Sequence, residues 1–312
     1  MLDVKRLKVL REVSRCGSFS SAAESLAYTQ SAVSQQIAAL EREAGTRLVE
    51  RGARGVTLTD AGRALVAHTD VVLQRLADAE LELDAIAGIR AGRVRIVAFQ
   101  SAAASIMPVA IAAFRSEYPG VEVQMFPAEP PEALQMLRAS EADIALILDG
   151  TPAVADGAAV DQVLLLEDPM HVVLPIDHPS AVAGGPVKLA ELADEQWVMG
   201  VGGVCPDTSL FWGACRRAGF EPSVPFDLDD YNAIQGFVAA GMGVAVIPEV
   251  ALKAIRDDVV VRPIAGKPPV RRIMAATMAE SFCSPAREAM VEKLVAAGEE
   301  FSGRQGQALA AA

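Results

Sequence analysis

Gln30, Ser31, Ser34 and Gln35 are uncharged hydrogen-bonding side chains gathered near the start of one predicted helix, in "TQSAVSQQIAALERE" (29–43). At helical spacing Val33, Ile37, Leu40 and Ala44 form a buried stripe, and Ser31, Ser34, Gln35 and Ala38 fall on the opposite side. The chemistry open to such a face is the reading of base edges. Gln pairs bidentately with adenine and Ser with several bases, whereas Glu there would repel phosphate. Alone, the stretch also reads as a surface helix with a polar face, although Glu and Lys at i, i+4 are the commoner way to write one.

Three short helices and a hairpin would position that face. The first runs from about Asp3 to Ser14, burying Leu7, Leu10 and Val13, and Gly17 stops it. Ser18 is placed to accept orphan N–H groups of the next helix, "FSSAAESLA", whose Ala22 and Ala23 allow close approach. "YT" turns the chain, and Thr29 caps the third helix through its hydroxyl. Two helices joined by so short a turn make a helix-turn-helix. The third helix also offers free N–H groups to a phosphate at its start. Downstream, "GTRLVERGARGVTLTDAG" sets Arg47, Arg51 and Arg54 around Gly52 and Gly55, a short basic hairpin suited to backbone and minor-groove contacts. Charge agrees in sign. Residues 1–65 hold ten Lys and Arg against seven Asp and Glu, a net +3, while the rest holds 18 against 33, a net −15. Only the basic head is expected to approach a polyanion; Glu41 and Glu43 count against it.

The run "GSFSSAAESLAYTQSAVSQQIAALEREAGTRLVERGARGVTLTDAG" resembles the winged helix-turn-helix of the LysR-type transcriptional regulators. The resemblance implies a helix-turn-helix from Ser18 to Ile37. It implies DNA contacts by Ser18, Thr29, Gln30, Ser31, Ser34, Gln35 and, at the edge of the face, Gln36, with Arg51 and Arg54 in the wing. Many relatives carry proline after the serine of "QS", where this chain has Ala32. Double-stranded promoter DNA with inverted-repeat character is the implied partner, together with a second copy of the chain, a tetramer built from such dimers, and RNA polymerase.

From Thr59 to about Ile89 the chain has no proline and one interior glycine, Gly62. Leu58, Leu65, Val72, Ala79 and Ile86 recur every seven residues, with Thr69, Leu76 and Leu83 offset by four. That seam predicts a coiled coil, with Leu65, Val72, Leu76, Ala79, Leu83 and Ile86 as dimerisation residues; the alternative is a long helix lying on its own domain.

Beyond "GIRAGR" the pattern turns to α/β. Strands are predicted at 94–99, 121–126, 143–148, 171–175, 196–200 and 243–248, with helices near 105–118, 130–139, 207–218 and 231–240. Crossings near 161–168 and 262–269 would divide this region into two lobes of largely parallel sheet, the first completed by 270–278 and a helix near 285–300. The expected division is a head of 1–58, a linker helix of 59–91 and an effector domain of 92–302. Within the last, lobe I takes about 92–162 and 267–302 and lobe II about 163–266; 303–312 is expected to be a disordered tail. The family resemblance, carried here by "GFVAAGMGVAVIP" and the strand order, implies an effector domain built like a type 2 periplasmic binding protein. Its small-molecule effector would lie between the lobes. Ser101, with Phe99 and Gln100, would face it from one lobe, and Gly202, Gly203 and Thr208 from the other; each has a plainer reading as a tight turn or a cap.

Other functions lack support in the residues. His68, His171 and His178 form no metal spacing, and no GxSxG, P-loop or dinucleotide fingerprint occurs, so neither catalytic residues, cofactor nor metal are expected. No apolar run of membrane length or export signal appears, and four scattered cysteines fit a reducing cytoplasm. Peroxide-sensing members of the family carry a redox pair near Cys205 and Cys215, which makes redox response an alternative here.

Overall fold

The computed structural model describes residues 1–52, 55–86, 92–151, 160–200, 206–228, 230–279 and 284–309, and the chain divides into two units, Met1–Ile89 and Arg90–Ala312. In the first unit, α1 (Val4–Cys16), α2 (Phe19–Ser25) and α3 (Gln30–Ala44) precede a hairpin of β1 (Val49–Gly52) and β2 (Gly55–Leu58), and α4 (Asp60–Ile86) follows. Each start has a physical cause. Asp3 accepts from the Lys5 amide at 2.7 Å, Ser18 from Ser21 at 3.1 Å, Thr29 from Ala32 at 3.2 Å and Thr59 from Gly62 at 3.0 Å. Gly17 and Gly45 close α1 and α3 in the left-handed conformation. Leu10, Val13, Ala22, Val33, Ile37 and Leu40 are buried in one core, each large apolar side chain contributing about 1.5–3 kcal/mol.

Two glycines hold the hairpin against this core. The Val56 amide donates to the Gly17 carbonyl at 2.8 Å, and a Cβ on Gly55 would meet that oxygen at 2.6 Å. A Cβ on Gly62 would meet the Leu48 carbonyl at 2.1 Å, so α4 can start here only without a side chain. The first turns of α4 then lie on the head: Leu65 and Val66 pack against its core and Thr69 is buried.

The second unit runs β3 (Gly92–Ala98), α5 (Gln100–Glu117), β4 (Val121–Pro127), α6 (Pro130–Arg138), β5 (Ile144–Leu148), β6 (Val160–Pro175) and α7 (Pro179–Ala183). It continues with β7 (Gln196–Met199), α8 (Pro206–Arg217), β8 (Ser223–Asp227), α9 (Tyr231–Ala239), β9 (Ala245–Pro248), β10 (Val259–Pro263), β11 (Val270–Met278) and α10 (Pro285–Leu309). The largest sheet has the order β10-β6-β11-β5-β3-β4, with β9 also on β6 and β7 paired with β8 separately. Two lobes share it through β6. Residues 160–169 of that strand pair with β11, and residues 170–175 with β9 and β10.

The expectation of largely parallel sheets is corrected by this strand. β3 is parallel to β4 and β5, but β6 and β11 are antiparallel to each other and to every other neighbour. The cause is that the chain passes between lobes as extended strand, with no crossover helix to force parallel pairing. The strand was expected to begin at 171, after a crossing between lobes near 161–168. Pro169, lacking an N–H, instead sits within the strand where it passes between lobes, opposite Val270. At the other end, α10 was expected to stop near 300 and instead continues to Leu309, through a tail expected to be disordered. "QGQAL" contains good helix formers and no proline.

Candidate nucleic-acid face and ligand cleft

On α3, Gln30, Ser31, Gln35 and Ala38 are exposed and Ser34 is half-buried, so the neutral face is open to a partner. Thr29 shares its hydroxyl between the Ala32 amide and Ser31, 3.0 Å away. Ser18 is half-buried and bonded to Ser21, which makes it a cap for α2. Gln36 is corrected: its side-chain oxygen accepts from Arg6 at 3.3 Å, drawing it toward α1 and away from the open face. The two acids that weighed against a polyanion are also accounted for. Glu41 accepts the amides of Leu48 and Val49 at 2.9 and 3.3 Å, tying α3 to the base of the hairpin, and Glu43 pairs with Arg6. Arg42 stands exposed on the same side as Ala38, whose carbonyl it reaches at 3.3 Å. The side chains of Arg51 and Arg54 lie outside the described residues.

Of the seam positions on α4, Leu65 is corrected, because it packs on its own head. Val72, Leu76 and Leu83 are 40%, 44% and 66% exposed, and Ala79 is exposed beside them. The side chain of Ile86 lies outside the described residues.

In the second unit a cleft of about 450 Å³ opens between the lobes, with Phe99, Gln100 and Ser101 on one side and Thr208, Asp227 and Tyr231 on the other. Ser101 is the second residue of α5, which starts five residues earlier than its sequence suggested. The cleft has a floor that sequence reasoning missed. Arg271 on β11 is 2% exposed and donates to Asp168 on β6 at 2.6 Å and to the Ser101 hydroxyl at 2.6 Å. Its guanidinium carbon lies 5.3 Å from the centre of the Phe99 ring. The other oxygen of Asp168 accepts the Val250 amide at 3.0 Å. A signal was available: Arg271 shares the inward register of β11 with Ile273 and Ala275, and an arginine there requires a buried acid.

A second polar tie crosses the mouth. The Gln100 amide donates to Asp230 at 2.9 Å, and Asp230 caps α9 by accepting from Asn232 and Ala233. The Ala233 amide first, then Gln100, hold this carboxyl below its ordinary range. Thr208 lines the cleft while donating to the Gly200 carbonyl at 3.1 Å. Gly202 and Gly203 lie outside the described residues.

The redox alternative loses one of its members. Cys215 is fully buried beside Trp197 and Phe211, and burial pushes its thiol up to about 12, which suppresses the reactive thiolate. Cys205 lies outside the described residues. Among the described residues no cluster of three or more His, Cys, Asp and Glu side chains could hold a metal, and no helix is long and apolar enough to cross a membrane. His68 is exposed, His178 caps α7, and burial lowers the proton affinity of His171.

A winged helix-turn-helix with an outward neutral face, in one chain with a two-lobed cleft, defines the class of ligand-responsive DNA-binding regulators. Residues 4–63 match the bacterial regulatory helix-turn-helix protein of the lysR family, and residues 87–299 match the LysR substrate binding domain. The chain belongs to the LysR family of transcriptional regulators. It is 30% identical to the probable HTH-type transcriptional regulator LrrA of Synechococcus elongatus over 284 residues, 90% of this chain and 92% of that one. It is 29% identical to the transcriptional dual regulator GltC of Bacillus subtilis, over 80% of this chain and 81% of that one. In fold it resembles full-length OxyR from Pseudomonas aeruginosa, with a TM-score of 0.73, 21% identity, and coverage of 95% of this chain and 98% of that one. It also resembles full-length CbnR in complex with its target DNA, with a TM-score of 0.69, 21% identity, and coverage of 95% and 100%.

Proposed function

We propose that the head reads promoter DNA through Gln30, Ser31, Ser34 and Gln35 in the major groove, and that a small molecule in the cleft controls where paired heads are held. One observation carries this reading. The neutral face of α3 is open while Glu41 and Glu43, its neighbouring acids, are consumed by the protein's own amides and by Arg6. The exposed Val72, Leu76, Ala79 and Leu83 would be covered by the same helix of a second copy. Two-fold pairing then supplies two half-sites, and dimers of dimers extend the contact. Arg51 and Arg54 would meet phosphate or the minor groove beside each half-site. RNA polymerase is the further partner of the bound complex, and the cytoplasm is where all of these meet. No catalytic turnover is expected of the cleft, which would act by shifting lobe populations.

The test is footprinting of the DNA beside the protein's own gene with the full chain at low ionic strength. Protection of two half-sites about one helical turn apart, altered by candidate metabolites, is the expected result. A chain that stays monomeric and protects no promoter fragment overturns the reading.

A further inference from the structure

Behind the cleft lies a second cavity of about 370 Å³, lined by other residues of the same segments. On β6, Met170 faces the cleft and its neighbour His171 the second cavity, because successive strand residues point to opposite faces. Pro248 and Glu249 divide in the same way, as do Ser101 and Ser105, about one turn apart on α5. Helices α5 and α10 line this cavity from the first lobe, and His171, Glu249 and Leu252 from the second.

Its polar groups are incompletely served. Glu249 opens a short helical turn, Glu249–Lys253, and is half-buried, and among the described residues no hydrogen bond or ion pair engages its carboxyl. His171, 9% exposed, also keeps a ring nitrogen, Nδ1, with no hydrogen-bond partner among the described residues. Folded chains leave few such groups without a ligand or water to meet them. Burial first, then the charge of Asp168, raises the Glu249 carboxyl to about 7, and burial lowers the proton affinity of His171. Asp168 is itself paired with Arg271. The other charged side chains lining the cavity are Glu300 and Lys253, the latter 4.4 Å from the centre of the Phe301 ring, and they are of opposite sign. Val109, Leu252 and Phe301 supply apolar wall. A carboxyl that lacks a donor, set in a largely apolar cavity, is suited to a molecule that brings a cation on a hydrocarbon body.

We propose that this cavity is a second small-molecule site, selective for an apolar primary amine. The ammonium group donates to the Glu249 carboxylate, and the hydrocarbon part lies against Val109, Leu252 and Phe301. A carboxylate partly withdrawn from water is costly until a cation reaches it, so the amine gains where an alcohol of the same shape does not. An acid of that shape would add its charge to that of Glu249. Because the amine binds the ionised carboxyl, its affinity rises with pH as Glu249 gives up its proton. None of this depends on what the cleft takes.

The experiment is calorimetric titration of the full-length protein at pH 8 with butylamine, hexylamine, benzylamine and phenethylamine, each set against the alcohol and the carboxylic acid of the same skeleton. At least one amine is expected to bind roughly tenfold or more tightly than both counterparts. Its affinity should fall about tenfold between pH 8 and pH 6. Glu249→Gln is expected to erase both the preference for the amine and its pH dependence, while Gln100→Ala, in the cleft, leaves them in place. If the alcohol or the acid binds as tightly as the amine, or Glu249→Gln changes neither property, the amine assignment falls. If Gln100→Ala removes binding as fully as Glu249→Gln, the probe lies in the cleft and the second site falls. Binding of no amine at millimolar concentration also overturns the proposal.

Discussion

On the head, Gln30, Ser31 and Gln35 reach outward from α3, while in the body Arg271, Asp168 and Ser101 are almost inaccessible and bond one another. The outward set contributes little to folding, since its side chains are exposed to water in the folded and unfolded chain alike. The inward set bears the desolvation of a full ion pair, which its mutual bonds offset only while every member is present. A polar group kept for recognition can thus be removed without harm to the fold, whereas one kept inside cannot be removed singly.

The largest expected effect lies on the inward side. Asp168→Ala leaves Arg271 buried without its anion and should cost about 3–5 kcal/mol in urea melts, whereas joint replacement by Asp168→Leu and Arg271→Met should cost far less. Equal losses in the single and double variants would erase the contrast. On the outward side, Gln35→Ala should lower affinity for the preferred DNA by about 1–3 kcal/mol in gel shifts. The melt of the head should move by less than about 0.5 kcal/mol. Thr29→Ala sits between the two cases, because its hydroxyl caps α3 from an exposed position. A loss of about 1 kcal/mol in head stability is expected, read by thermal unfolding.

A further contrast concerns pH. Glu249 lines a second cavity of about 370 Å³ with His171, and burial first, then the Asp168 charge, raises its carboxyl from 4.5 to about 7. The folded state keeps a proton that the unfolded chain has already released, so this group lowers stability as pH rises from about 4.5 to about 7. Glu249→Gln should flatten that part of the stability profile and gain on the parent near pH 8. A variant whose profile still falls across the window would assign the slope to other groups.

How much of this could be read in the residues differs between the two regions for a physical reason. The head is governed by neighbours in sequence: the Val33–Ile37–Leu40 stripe, the Ser18 and Thr29 caps and the Gly17 stop are all local, and the structure contains each of them. What was missed there is long-range, as when Arg6 draws Gln36 off the open face from 30 residues away. The body's polar floor joins residues 103 and 170 positions apart in the chain, and no local pattern records such pairs. Strand β8 was missed because "SVPFD" carries a proline and an acid, and β10 because "VVVRP" abuts the Pro-rich stretch taken as a crossing. The approximate location of the cleft could be anticipated; its Arg271–Asp168 floor and the antiparallel course of β6 could not.

Pro169 and Val270 face each other across β6 and β11, and the Met170 amide donates to the Pro269 carbonyl at 2.9 Å. The chain thus departs for the second lobe and comes home at adjoining positions, so about one hundred residues form a detour from what would otherwise be a hairpin. A detour with touching ends can be acquired, exchanged or shed in descent without rethreading what surrounds it. Recognition of new metabolites could then arise by wholesale replacement of this loop-like half, leaving the DNA-reading end of the molecule untouched.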